Sequence, residues 1–396
     1  MTDFPKLLIV SHVIHYEHEG RIYAYGPYAR EIELWAQLFS EVTIASPVRP
    51  ETPPADCIAF RSRNISMARQ LETGGDTMKA KISQIAALPL HAWRISRSMS
   101  RADVVHVRCP GNLGLIGVVL APLFSRRMVA KYAGQWWGGE RIPLTYRMQR
   151  WILSSRWWRR GVVTVYGEWP DQPRQVVPFF TSMMTREQVT SAVQAAGLKA
   201  PLHPARILYS GRLVPGKGID VLIRAAAQVQ EAIEVTVVGE GPESDRLRQL
   251  ALELGVAEKI KFAGAVAYDE VMEFYRQAHI LVLASNSEGW PKVLPEAMCH
   301  GVVCIATDQG LMPWMLKNRG ETVAAGDSKA LAGAIDALIR DPQRYARLAE
   351  NAMAWAQRYS LEDLKEALRN LLSGSWNLEL PAGNVRRPAI SQEISS

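Results

Sequence analysis

Short apolar runs recur along the chain, and most are followed by a segment with helical spacing. Residues 6–11, 41–45, 103–110, 128–133, 162–166 and 174–179 read as strands in the first half. Residues 206–210, 235–238, 260–266, 280–284 and 302–306 do so in the second. Near-continuous apolar runs of this length mark parallel strands buried on both faces. Residues 28–39 and 219–229 place apolar side chains at helical spacing, and residues 361–372 form a last amphipathic helix. Strand alternating with helix predicts the α/β class. A chain of 396 residues is too long for one compact core. The break in the pattern around Gly197, Pro201 and Pro204 divides it. The predicted organisation is a domain over 1–180, a linker over 181–204, a second domain over 205–358, a helix over 359–380 and a disordered tail over 381–396.

The most informative stretch joins the last two strands. It reads Ser285-Asn286-Ser287-Glu288-Gly289-Trp290-Pro291-Lys292-Val293-Leu294-Pro295-Glu296-Ala297-Met298-Cys299-His300-Gly301. A loop there leads into a short helix that Gly301 ends. Glu288 lies just past the strand's carboxyl end, and Glu296 in the first turns of the helix. In an open parallel sheet that edge is where ligands bind. The helix start offers the amides of Lys292, Val293 and Leu294, which favour a phosphate. The carboxylates suit neutral hydroxyls. Amides for phosphate beside carboxylates for hydroxyls point to a sugar nucleotide.

The loop Gly211-Arg212-Leu213-Val214-Pro215-Gly216-Lys217-Gly218 nearly spells a P-loop. Gly218 stands where that motif needs a hydroxyl for Mg²⁺, and Pro215 lacks an amide, so an ATPase is disfavoured. Gly239-Glu240-Gly241 is half of a dinucleotide fingerprint, but Pro242 and Ser244 break the rest.

Glu, seven residues, Glu, together with Gly-Arg-Leu-x-x-x-Lys-Gly, resembles glycosyltransferase family 4. That is the retaining, group 1 family with the GT-B fold. The resemblance covers most of residues 205–360 and is weak over 1–180. It implies two Rossmann-like domains with parallel sheets facing across a cleft. It also implies that Glu288 touches the donor sugar and Glu296 the ribose, that Arg212 and Lys217 clamp the donor diphosphate, and that Val266 lies by the base. Gly211 and Gly289 belong to the same donor motifs. In the family, a His-x-His at the strand over 103–110 reaches the reacting sugar. Here the second position is Arg108, which stays protonated and can bind phosphate or developing charge but cannot be a base. The loop over 12–26 lacks the family's paired glycines and carries His12, His15 and His18, read as polar loop residues rather than metal ligands. Asp308-Gln309-Gly310 replaces another glycine pair. No Asp-x-Asp occurs, so a cationic clamp is expected in place of a metal, with no cofactor.

Charge adds the partners. Residues 1–200 hold 25 Lys and Arg against 15 Asp and Glu, and residues 201–396 hold 21 against 24. A basic first half implies an anionic partner. Residues 141–160 contain six Arg, the tryptophans Trp151, Trp157 and Trp158, and no acid. They read as a basic amphipathic helix, either a contact for an anionic membrane surface or a helix packed on its own domain. No motif for nucleic acid accompanies them. The loop Gly134-Gln135-Trp136-Trp137-Gly138-Gly139 offers faces that stack on sugars. The four scattered cysteines and the lack of a signal peptide or of a run of roughly 20 apolar residues lead to an expectation of a cytoplasmic protein, peripheral on the membrane. The expected activity is retaining transfer of a sugar from a nucleotide sugar to a glycan or lipid-linked acceptor, in cell-surface polysaccharide or glycolipid synthesis. A sugar-nucleotide epimerase, a nonenzymatic sugar-nucleotide binding module and an NAD-dependent enzyme are its rivals.

Overall fold

The computed structural model describes residues 5–72, 78–136, 143–197, 202–378, 380 and 381. Met1–Thr181 with Leu361–Ser396 form one compact unit, and Ser182–Ser360 a second. The strands of the first are β1 (Lys6–Val10), β2 (His15–His18), β3 (Arg21–Tyr25), β4 (Glu41–Arg49), β5 (Cys57–Ala59), β6 (Ile65–Gln70), β7 (Val104–Cys109), β8 (Met128–Tyr132), β9 (Val162–Tyr166) and β10 (Val176–Phe179). Its helices are α1 (Gly26–Ala36), α2 (Met78–Met99), α3 (Asn112–Phe124) and α4 (Leu144–Ser154). The parallel strands run in the order β6-β4-β1-β7-β8-β9-β10. The β1, β7, β8 and β9 segments are almost wholly buried, as continuous apolar runs require.

The second unit carries α5 (Arg186–Ala196), β11 (Ala205–Ser210), α6 (Ile219–Ala226), β12 (Ile233–Val238), α7 (Ser244–Glu253), β13 (Ile260–Gly264), α8 (Tyr268–Gln277), β14 (Ile280–Leu283), α9 (Val293–Cys299), β15 (Val303–Thr307), α10 (Met312–Leu316), β16 (Gly320–Val323), α11 (Ser328–Arg340) and α12 (Pro342–Ala356). Its strands are all parallel, in the order β13-β12-β11-β14-β15-β16. This is the doubly wound order 3-2-1-4-5-6. A last helix, α13 (Leu361–Trp376), packs on α1 in the first unit, where Lys365 Nζ donates to Gln37 Oε1 at 2.8 Å.

Three local expectations change. Residues 12–26 are not an irregular loop, since β2 and β3 pair there as an antiparallel hairpin. Glu19 and Gly20 turn it with φ of 49° and 70°, the left-handed pair that a two-residue hairpin needs. The basic segment is not one helix. α4 ends at Ser154, and Arg156–Trp158 forms a separate 3₁₀ turn capped by Ser155. That turn buries Trp158, whose indole N–H donates to the Val118 carbonyl at 2.8 Å. The segment expected as a linker over 181–204 carries a helix, α5, opened by a capping box between Thr185 and Gln188. Trp137, Gly138, Gly139, Arg141, part of the linker and nearly all of the tail lie outside the described residues.

Candidate functional site

In the second unit the chain lays β12 and β13 to one side of β11, then returns to place β14, β15 and β16 on the other. The reversal falls between β11 and β14. Open parallel sheets bind ligands at such a switch point, outside the carboxyl ends of the strands. Arg212 and Lys217 lie in the loop that leaves β11, and Glu288 in the loop that leaves β14.

Backbone contacts fix both loops. The amides of Gly211 and Leu213 donate to the carbonyls of Val238 and Glu240 at 3.0 and 2.9 Å, and the Asn286 amide donates to the Gly216 carbonyl at 2.8 Å. These approaches leave no room for a side chain at key points. A Cβ on Gly239 would stand 1.9 Å from the Gly211 carbonyl oxygen, and one on Gly241 2.2 Å from that of Leu213. The half fingerprint Gly-x-Gly is thus a packing device for the neighbouring loop. Gly218, with φ of 69°, would press a Cβ to 2.0 Å from the Ala284 carbonyl oxygen. A hydroxyl-bearing residue cannot stand there, which is the structural reason the loop is not a P-loop.

Two of the predicted residues meet directly. Lys217 Nζ donates to Glu288 Oε1 at 2.6 Å, with the side chains 29% and 15% exposed. Beneath them Tyr209 is buried and donates its hydroxyl to the Arg212 carbonyl at 3.1 Å. Burial, and then the charge of Glu288, push the Tyr209 phenol up, so it stays a neutral donor. The Arg212 side chain is exposed and has no ion pair or hydrogen bond among the described residues.

Glu296 is almost fully buried in the first turn of α9. It accepts a hydrogen bond from the Tyr275 hydroxyl at 3.0 Å and another from that of Tyr268 at 3.3 Å. These tyrosines were absent from the sequence-based site. They are seven residues apart on α8 and so share a face, the one signal that could have found them. Burial and the adjacent Glu296 raise the Tyr275 phenol well above its ordinary value.

The remaining positions surround this pair. Gly289, Lys292 and Val293 are half-buried, and Val266 lies half-buried two residues before Tyr268. One expectation fails among the helix-start amides. Leu294 donates its N–H to the Pro291 carbonyl at 3.0 Å, so that amide is taken by the tight turn opening α9.

Arg108 belongs to the first unit, near the end of β7. It joins a buried charge cluster that the sequence did not show. Lys131 Nζ donates to Glu31 Oε2 at 2.7 Å, and Arg108 Nη1 stands 3.5 Å from the same oxygen. The guanidinium carbon lies 5.1 Å from the centre of the Tyr28 ring. Burial alone would raise the Glu31 carboxyl, but Lys131 and Arg108 more than offset it, and its pKa falls to about 2. His106, two residues before Arg108 on β7, is buried against Trp35 with ring centres 4.7 Å apart. Burial pushes its pKa down to about 3, so it is neutral. The three loop histidines do not gather. His15 is buried with Nδ1 2.8 Å from Ser46 Oγ, while His12 is exposed and His18 half-buried.

The chain matches solved structures over nearly its whole length. Sucrose-phosphate synthase from Thermosynechococcus elongatus is similar with a TM-score of 0.71 and 20% identity, covering 94% of this chain and 99% of that one. HepE of Anabaena, solved in complex with UDP, is similar with a TM-score of 0.66 and 17% identity, covering 93% and 100%. The class of protein defined is therefore the GT-B fold. Within it, residues 193–355 match the family described as glycosyl transferases group 1. A D-inositol 3-phosphate glycosyltransferase of Acidothermus cellulolyticus is 31% identical over 261 residues, covering 62% of this chain and 56% of that protein. The lipopolysaccharide core biosynthesis glycosyltransferase LpsE of Rhizobium meliloti is 29% identical over 185 residues, covering 46% and 54%. The chain spans about half the length of the curated relatives it matches.

Proposed function

We propose that the protein is a glycosyltransferase. It moves a sugar from a nucleotide sugar to a glycan or lipid-linked acceptor, with retention of anomeric configuration, in cell-surface polysaccharide or glycolipid synthesis. The observation that carries this reading is the gathering of Lys217, Glu288, Glu296 and their tyrosine partners on loops and helices at one sheet edge. The Glu296 carboxylate offers about four lone-pair sites. The two tyrosines fix its orientation and leave acceptor capacity for the hydroxyls of a ribose. Lys217 and Arg212 attract the diphosphate, and their pull grows as the leaving group takes up charge. Glu288, held by Lys217, presents its other oxygen to the sugar. No metal takes part in this scheme.

Stereochemistry tests the assignment. The anomeric proton of the transferred sugar, read by NMR in the product, is expected to show the donor's configuration. An inverted linkage would falsify the family reading, and an isomer formed from donor alone would favour an epimerase.

The same proposal places the first unit on an anionic membrane. Helix α3 packs against both α2 and α4. This layer exposes Trp93, Leu123, Phe124, Leu144, Trp151 and Trp157, with Trp151 73% and Trp93 60% exposed. Arginines border them, among them Arg94, Arg97, Arg147 and Arg156, as an apolar face entering a negatively charged interface requires. Among the described residues no helix is long and apolar enough to cross a membrane. In flotation with liposomes, recovery is expected on vesicles containing anionic lipid, and replacing Trp151 and Trp157 by Ser is expected to reduce it. Equal recovery on neutral vesicles, or none on either, removes the membrane contact.

A further inference from the structure

We infer that the sheet edge around Arg108 in the first unit binds an anionic group of the acceptor, a phosphate or a carboxylate. Arg108 would make the direct contact, with Lys131 supplying charge from behind. The inference rests on the transfer reading only in calling the ligand an acceptor. The anion site itself stands on three observations within this unit.

The first is position. In the order β6-β4-β1-β7-β8-β9-β10 the chain reverses direction between β1 and β7. Arg108 is the next-to-last residue of β7, and His12 lies two residues beyond the end of β1. The two loops meet there, since a Cβ on Gly111 would stand 2.3 Å from His12 Nδ1. This is the first unit's own switch point, where an open parallel sheet leaves its crevice.

The second is charge that the protein does not match. Arg108 and Lys131 are both cations, and Glu31 is the one anion in ion-pair contact with them among the described residues. Lys131 holds the short contact to the Glu31 oxygen. Arg108 Nη1 reaches the same oxygen only at 3.5 Å, and it makes no hydrogen bond although it is buried. The neutral His106 adds no compensating charge. Nη1 itself is buried against Glu31, but the side chain is 16% exposed, and a planar guanidinium fork suits a two-oxygen anion. A cluster built only to stabilise the sheet would satisfy those donors internally.

The third is the start of α3. This 13-residue helix begins at Asn112, three residues past β7; the amide of its cap residue Gly111 donates to Gln149 Oε1 at 3.2 Å, and among the described residues no side chain bonds the amides of residues 112–114. Its positive end therefore lies at the same edge as Arg108. Helix and guanidinium both favour negative charge at one place.

The test is an NMR titration of the full chain with inorganic phosphate and, separately, with acetate, followed on the backbone amides of residues 111–114. The expected result is saturable movement of these signals by at least one ion, and which ion does so separates a phosphate from a carboxylate source. Arg108→Gln should weaken that binding roughly ten- to a hundredfold, because it removes hydrogen bonds to a charged group. Arg108→Lys should fall between, keeping the charge without the fork. The backbone amide spectrum away from β7 and the start of α3 should be unchanged in both variants, which reports that they are folded. The inference is overturned if neither ion moves these amides in the unmodified protein, or if Arg108→Gln binds as tightly as it. Failure of UDP, GDP and ADP alike to move amides of the second unit in the unmodified protein would instead count against the transfer reading and leave the anion result standing.

Discussion

Lys217→Ala and Arg212→Ala are each expected to lower turnover by roughly 10²–10³, with a smaller effect on donor affinity. In the proposed transfer, negative charge grows on the leaving diphosphate as the glycosidic bond breaks. Arg212 and Lys217 are cations of one loop whose backbone is pinned to two neighbouring loops, so they need little reorganisation to meet that charge. Their attraction is then stronger in the transition state than in the ground state. The two variants should differ in one respect. Arg212 is exposed and unpaired among the described residues, so its loss disturbs nothing else. Lys217 is the partner of Glu288 at 2.6 Å, and its removal strands a partly buried carboxylate. The double variant Lys217→Ala, Glu288→Gln should accordingly cost much less than the sum of its parts. Glu296→Gln should act mainly on donor binding, since it weakens a contact remote from the bond that breaks. Transfer rates against donor concentration, with and without EDTA, measure all of this. Near-normal turnover in both cation variants, or complete loss on chelation, would sink the clamp.

Gly218→Ala is expected to destabilise the second unit by about 2 kcal/mol or more and to abolish most activity. The residue has φ of 69°, and an added Cβ would lie 2.0 Å from the Ala284 carbonyl oxygen, a backbone atom that cannot swing away. Relief requires the loop after β11 to separate from the end of β14. That movement would part Lys217 from Glu288, so stability and turnover should fall together. Gly216→Ala is the control. Its φ is 85°, so strain remains, but a Cβ there meets nothing within 4 Å. Calorimetric melting of both variants beside their turnover decides the matter. If Gly218→Ala melts and turns over like the unmodified chain, the close approach has no mechanical role.

What could be read early followed from short-range rules. Continuous apolar runs gave most of the parallel strands of both units, because a strand buried on both faces has no polar side to alternate; the mixed segments of β6 and β16 carry no such run. The positions of Glu288 and Lys217 at strand ends were legible for the same reason. Residues 12–26 were misread, although the alternating pattern of β3 and the Glu19-Gly20 turn were in view. Strand β2 is only four residues long and reads His-Tyr-Glu-His, so it carries no apolar alternation to mark it. The basic segment was misread as one helix because helical spacing says nothing of where Ser155 caps a new turn.

By itself, then, the sequence determined the class of fold, most of the buried parallel strands, and the chemical types gathered at the carboxyl edge of the second sheet. These depend on side-chain period, turn residues and motif spacing, all of which act within a few residues. Only the tertiary structure decided which distant groups meet. It paired Lys217 with Glu288 across 71 residues and set Tyr275 on Glu296 across 21. It also brought Glu31 to Lys131 across 100. The physical reason is that sheet order, not chain order, sets these distances. Strands β11 and β14 are neighbours because the chain turns back between them, and no local pattern records that return.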